Sequence, residues 1–221
     1  LALTIDGQAL GSLDLSGQQT FQRGADGAWQ AGGVDLSAQK RHAASGPLGD
    51  LFHEGLLLVP GTAGSDEETF FNQWIADNAR GYYASRNGGV HRGGIMGHNA
   101  VELSSVADGE LDEERLAANN LLLYGNGASN SVLARFAEGL PLRFADDRID
   151  LAGKTYAEPG VAVFAAFPHP LHPERYLAVH GGTAPDAICW GSHLDMQLLP
   201  DYLVYAGGDV LDWGFWDNEW R

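Results

Sequence analysis

Two uninterrupted aliphatic runs in this chain break in the same way, into a small-residue loop and then a helical pattern. Leu56-Leu57-Leu58-Val59 passes into Pro60-Gly61-Thr62-Ala63-Gly64-Ser65, and Leu121-Leu122-Leu123-Tyr124 into Gly125-Asn126-Gly127-Ala128-Ser129-Asn130. Runs without polar alternation suit strands covered on both faces, and loops at the carboxyl ends of such strands are where α/β folds hold ligands. The pattern predicts a mainly parallel, Rossmann- or flavodoxin-like α/β sheet flanked by helices, with the two loops side by side at one edge.

Around this frame the pattern changes twice. Residues 1–40 read as short strands (1–5, 11–15, 19–23 and 28–31) between Asp-Gly and Ser-Gly turns, a small antiparallel hairpin appendage in which Phe21 and Trp29 face each other. Residues 41–221 form the α/β domain, with a polar link over 40–49 and a first core strand over 54–59. Ser65 caps a helix rich in acid at its start, whose Phe70, Trp74, Ile75 and Asn78 predict one buried face ending near Gly81. Residues 85–99 are Gly-rich and carry His91 and His98, a loop long enough to act as a lid. A strand over 101–106, a helix over 112–118 and a strand over 120–124 complete a βαβ unit, and a helix over 131–138 stops at Gly139 and Pro141. Strands over 142–144, 148–151, 161–167, 176–180 and 202–205 add hairpins to the C-terminal half, and an aromatic tail spans 211–221.

Charge narrows the functional classes. With 29 acidic against 13 basic residues the formal net charge is -16, which repels nucleic-acid phosphates and anionic lipid. No apolar stretch reaches the length of a membrane span. Cys189 is the one cysteine, so an intrachain disulfide is excluded and the compartment stays open. The chain begins on a strand-like segment without Met or a leader-like stretch, which predicts the interior of a longer polypeptide.

The sharpest local signal is residues 125–131. Backbone N–H groups at a helix start, with Thr62, Asn126, Ser129 and Asn130 around them, suit an anionic or hydroxylated ligand, and the same residues equally serve as turn formers and helix caps. The loop matches neither a phosphate-binding Walker loop nor a dinucleotide fingerprint, so no cofactor is expected. Ser129 resembles an elbow nucleophile, with His180 or His193 as base and Asp186, Asp195 or Asp201 as orienter, but Ser131 stands where the elbow requires its second glycine. Cys189 reads as a small buried hydrophobe or a thiol nucleophile. His169 and His172 are candidate metal ligands, although Pro168, Pro170 and Pro173 exclude a helical pair; the alternative is a rigid Pro-rich turn. The aromatic tail reads as a sugar- or partner-binding segment or as one docked on its own core.

Several blocks, in order, resemble the C-terminal region of bacterial multidomain proteins that begin with an α/β-hydrolase of the prolyl oligopeptidase or esterase type. They are Gly46-Pro47-Leu48-Gly49-Asp50-Leu51-Phe52, Leu57-Leu58-Val59-Pro60-Gly61-Thr62, Asn119-Asn120-Leu121-Leu122-Leu123-Tyr124-Gly125 with Asn130, Leu140-Pro141, and residues 167–176. The family pattern tends to carry Asn where His169 and His172 stand, and the segment 91–98 lies outside it. The resemblance implies a non-catalytic accessory or interaction domain, extracytoplasmic, whose partner is an upstream hydrolase domain bearing the nucleophile. Two other classes stay open: a small serine hydrolase using Ser129, and a carbohydrate- or anion-binding module at the strand-end loops.

Overall fold

The computed structural model describes residues 2–12, 20–32, 39–40, 44–84 and 102–220. They fall into two compact units, residues 1–38 and 39–221. The first holds two antiparallel hairpins, β1 (Ala2–Ile5) with β2 (Gln8–Ser12), and β3 (Phe21–Arg23) with β4 (Trp29–Ala31). Gln8 links them: its amide donates to Trp29 O and accepts from Trp29 N, both at 2.7 Å. Phe21 and Trp29 do not face each other. Phe21 lies opposite Ala31, and Trp29 opposite Arg23, whose guanidinium sits 5.9 Å from the indole centroid. The second strand begins at Gln8, because the Asp6-Gly7 turn reverses the chain at once; residues 13–19, which include the rest of the expected strand 11–15, lie outside the described residues.

The second unit is a mixed α/β domain on a seven-stranded sheet. Its strands are β5 (Leu56–Pro60), β6 (Ser104–Ser105), β7 (Asn120–Tyr124), β11 (Val161–Pro168), β12 (Tyr176–Gly182), β13 (Tyr202–Ala206) and β14 (Asp209–Gly214), in the order β14-β13-β11-β12-β7-β5-β6. Every residue of β5, β7 and β12 is buried, as the uninterrupted apolar runs require of strands covered on both faces. β8 (Leu142–Phe144), β9 (Ile149–Leu151) and β10 (Lys154–Tyr156) form a separate antiparallel meander.

The sheet is not mainly parallel. β6, β5, β7 and β12 run parallel, but β11 pairs antiparallel with both β12 and β13, and β13 with β14. The reason is connection length: only residues 169–175 join β11 to β12, too few for a parallel crossover, and Gly207-Gly208 turns β13 straight into β14.

Among the described residues the α-helices are α1 (Asp66–Ala84), α2 (Glu113–Ala118) and α3 (Ser131–Phe136), and α1 begins with a reciprocal cap. Ser65 Oγ accepts from Glu68 N at 3.2 Å while Glu68 Oε2 accepts from Ser65 N at 2.9 Å. Its buried residues are Asn72, Ile75, Ala76 and Tyr83, whereas Phe70 is 61% exposed and Trp74 39%. Of the expected face only Ile75 is buried; Phe70, Trp74 and Asn78 turn outward, and the inner face is completed by Asn72, Ala76 and Tyr83. The helix also continues past Gly81 by one turn. Residues 85–101, with His91, His98 and the expected lid, lie outside the described residues.

The link before β5 is less polar inside than its composition suggests: Leu48 and Leu51, on the 3-10 turn Leu48–His53, are fully buried. The tail docks through Trp216 against β11 and β13. Asp201 accepts from Trp216 N at 2.8 Å, Trp216 Nε1 donates to Ala166 O at 2.8 Å, and the indole stacks on Tyr202 and Phe167. Lys40 joins this strap through its N–H to Asn218 O and its ammonium to Asp201, 2.5 Å away. Trp213 and Phe215 remain exposed.

Candidate functional site

The carboxyl ends of β5 and β7 lie together, and the two loops that leave them are bonded to each other. Gly61 N donates to Tyr124 O at 3.0 Å and Ala63 N to Ser129 O at 3.0 Å. The approach is so close that a Cβ on Gly61 would lie 2.3 Å from Ser129 O. β12 adds the third side, with Gly125 N donating to His180 O at 3.1 Å.

Within this cluster most polar groups are already spent. Asn130 caps helix α3 (Ser131–Phe136) by accepting from Val132 N and Leu133 N, and its amide donates to Val59 O and Tyr124 O at 3.0 and 3.1 Å. Ser129 is buried; its Oγ accepts from Asn126 N at 3.0 Å and its N–H donates to Asn126 Oδ1. Thr62 donates both its N–H and its hydroxyl to Asp108 Oδ1, at 2.8 and 2.7 Å.

Asp108 is the central group that sequence reasoning missed. Its second oxygen accepts from Ser131 N at 2.6 Å, so one carboxylate bridges the β5 loop and the start of α3. Burial pushes its carboxyl up, but the hydrogen bonds from Ser131 and Thr62 outweigh that and hold it below the usual carboxylate range. A lone Asp in Ala107-Asp108-Gly109 reads as a turn former, and no local spacing marks it as the partner of a residue 46 positions away.

The residues of the hydrolytic reading are dispersed. His180 lies in mid-sheet, its Nε2 2.6 Å from the Tyr205 hydroxyl and its ring stacked on Phe164; burial lowers its pKa to about 3. Among the described residues no hydrogen bond joins Ser129 to a histidine. Asp195 accepts from the Tyr83 hydroxyl and from Gln197 N, His193 is exposed at the end of the 3-10 helix Ala187–His193, Asp186 precedes that helix, and Asp201 holds the tail strap. Cys189 is half-buried, and burial together with Asp186 raises its thiol pKa, away from the thiolate.

His169 and His172 occupy the turn between β11 and β12. His169 Nδ1 accepts from both Leu171 N and His172 N at 3.1 Å, which places its proton on Nε2, a buried atom without a hydrogen-bond partner among the described residues. Burial, and next the neighbouring His172, lower its pKa to about 4. His172 lies 3.9 Å from Glu174. Among the described residues no group of three or more His, Cys, Asp or Glu is placed to hold a metal ion, and none of the helices is long and apolar enough to cross a membrane.

Beside the loops, between Asn126 and the β8 end of the meander, opens a cleft of about 350 Å³. Of the predicted ligand residues only Asn126 reaches it. Neither a protein-family model nor a curated protein sequence matches the chain.

Proposed function

We propose that this chain is a non-catalytic accessory domain of a larger bacterial, extracytoplasmic, hydrolase-like protein, whose partner is a hydrolase domain on the same polypeptide. The observation that carries the reading is the state of Ser129: its oxygen is buried and accepts from Asn126 N, and one of the two expected bases, His180, is engaged with Tyr205. A nucleophile needs an exposed hydroxyl within reach of a base, and the Ser131 side chain replaces the glycine that a strained elbow requires.

The resemblance in the blocks around Pro60, Asn120 and residues 167–176 supports the same assignment. So does strand order. Numbered along the chain, the parallel half β6-β5-β7-β12 has the order 2-1-3-4, as in a flavodoxin-like sheet, with β11, β13 and β14 as an antiparallel extension. In such sheets the ligand crevice opens between strands 1 and 3; here the Asn130, Asp108 and Ser129 bonds fill it with the protein's own side chains.

The test is hydrolysis of short p-nitrophenyl acyl esters and aminoacyl p-nitroanilides by purified wild type, Ser129→Ala and Cys189→Ala. The expected result is no turnover above buffer for any of them. A robust wild-type rate that disappears in a folded Ser129→Ala variant would return the chemistry to this domain.

A further inference from the structure

Three of the four strand-end residues expected to bind a ligand are consumed internally, but in the neighbouring cleft the Asn126 side-chain N–H, Glu68 Oε1 and the Thr183 hydroxyl are engaged only by long contacts of 3.4 Å. From the geometry we infer that this cleft is a binding site for a neutral polyhydroxylated ligand of carbohydrate type.

The cleft lies between the β7 loop, the end of β12 and the β8 end of the meander, and its chemistry is set by Glu68, Asn126, Arg143, Phe144, Asp146 and Thr183. A volume of about 350 Å³ falls at the small end of ligand sites. Glu68 is divided between two tasks: Oε2 is held by the Ser65 cap, which fixes the carboxylate and leaves Oε1 with the Asn126 amide at 3.4 Å. The same amide reaches Gly182 O at 3.4 Å, and Thr183 Oγ1 reaches Val161 O at 3.4 Å. These contacts are long for hydrogen bonds to nitrogen and oxygen, so amide, hydroxyl and carboxylate each retain capacity for a better partner. Asp146 is exposed at the rim. Phe144 supplies the apolar wall, its ring tip packed close to Gly181, where a Cβ would lie 2.9 Å from it.

The ligand class follows from the balance of donors and acceptors. Two carboxylates disfavour an anion, and the one cation among the described residues lining the cleft, Arg143, is exposed and engaged by the carbonyls of Ala137, Glu138, Leu140 and Leu142. Sugar hydroxyls both donate and accept, which suits two carboxylates, an amide N–H and a threonine together, while the aliphatic face of a pyranose ring fits an aromatic wall.

The experiment is amide-resolved NMR titration of the whole chain with maltose, cellobiose and N,N′-diacetylchitobiose, with spermidine and inorganic phosphate as charged competitors. The expected result is saturable movement of the Asn126, Gly127, Ala128 and Thr183 resonances by one of the disaccharides. Phe144→Ala and Asp146→Asn should each weaken it about tenfold, equivalent to about 1.4 kcal/mol. Asp146→Asn alters only an exposed rim group and so reports on binding even if Phe144→Ala unfolds. Absence of movement with all three sugars up to about 20 mM, affinity unchanged in Asp146→Asn, or preferential uptake of spermidine or phosphate would each overturn the assignment.

Discussion

The side-chain amide of Asn130 donates to the main-chain carbonyl of Val59 at 3.0 Å, so a residue at the head of α3 pins the carboxyl end of β5. Its oxygen meanwhile caps the helix. One side chain therefore holds a strand, a second strand through Tyr124 O, and a helix start, and what looks in sequence like a ligand loop is a joint.

Replacing Asn130 separates these tasks. Asn130→Asp keeps the capping oxygens but removes both donors and places a charge in a fully buried position, and should cost about 2–4 kcal/mol in urea unfolding. A near-neutral result would show that the cap alone matters.

Asp108→Asn should cost about 2–3 kcal/mol, because an amide nitrogen would face either Ser131 N or the Thr62 donors. The native carboxyl is depressed, so its stabilisation is complete above its ordinary value of 3.8 and is lost as pH falls through the lower, folded value. Acid unfolding of the variant, followed by circular dichroism, should lack that component.

Two glycines in neighbouring loops make a steric pair of tests. A Cβ at Gly61 would strike main-chain Ser129 O at 2.3 Å and Asn130 Cβ at 2.7 Å, whereas nothing lies within 4 Å of one at Gly127. Gly61→Ala should lose about 3 kcal/mol or more and Gly127→Ala stay within about 0.5 kcal/mol of wild type.

The turn histidine predicts an acid response at milder pH. Folded His169 protonates only near 4, while the unfolded chain takes up that proton near the ordinary value of 6.5. Stability is therefore complete above 6.5 and declines as pH falls from 6.5 toward 4. His169→Asn supplies an oxygen for the same two N–H groups without titrating. Denaturant midpoints measured across this window should fall less steeply for the variant than for wild type.

Legibility in the sequence followed how local the physics was. β5 and β7 announce themselves because burial on both faces excludes polar residues, and the Ser65 cap because its partner stands three positions on. The antiparallel half was hidden: Val161 to Phe167 is as apolar as any parallel strand, and its direction is fixed by the brevity of residues 169–175 rather than by its own side chains. β14 escaped because its Asp209, Asp212 and exposed Val210 resemble a loop at a sheet edge. Candidate residues could be named, but that Ser129 and Asn130 are spent inward, with Asp108 completing the joint, depends on contacts made across the fold.

Lys40 and Asp201 form a nearly buried ion pair, 2.5 Å apart, with the carboxylate fully covered. Lys40→Met leaves Asp201 without its counter-charge and should cost about 3–5 kcal/mol, read from urea unfolding monitored by tryptophan emission.

That strap also ties the order of synthesis to the order of folding. Lys40 leaves the ribosome long before Asp201, Trp216 and Asn218, yet it is held by them, and Trp216 fills the space between Tyr202 and Phe167. The parallel strands can pair while translation continues, but the antiparallel half has no finished core until residue 216 has emerged. For that interval the nascent chain presents Phe167 and Tyr202 uncovered, the period in which a chaperone or a neighbouring nascent chain would meet them.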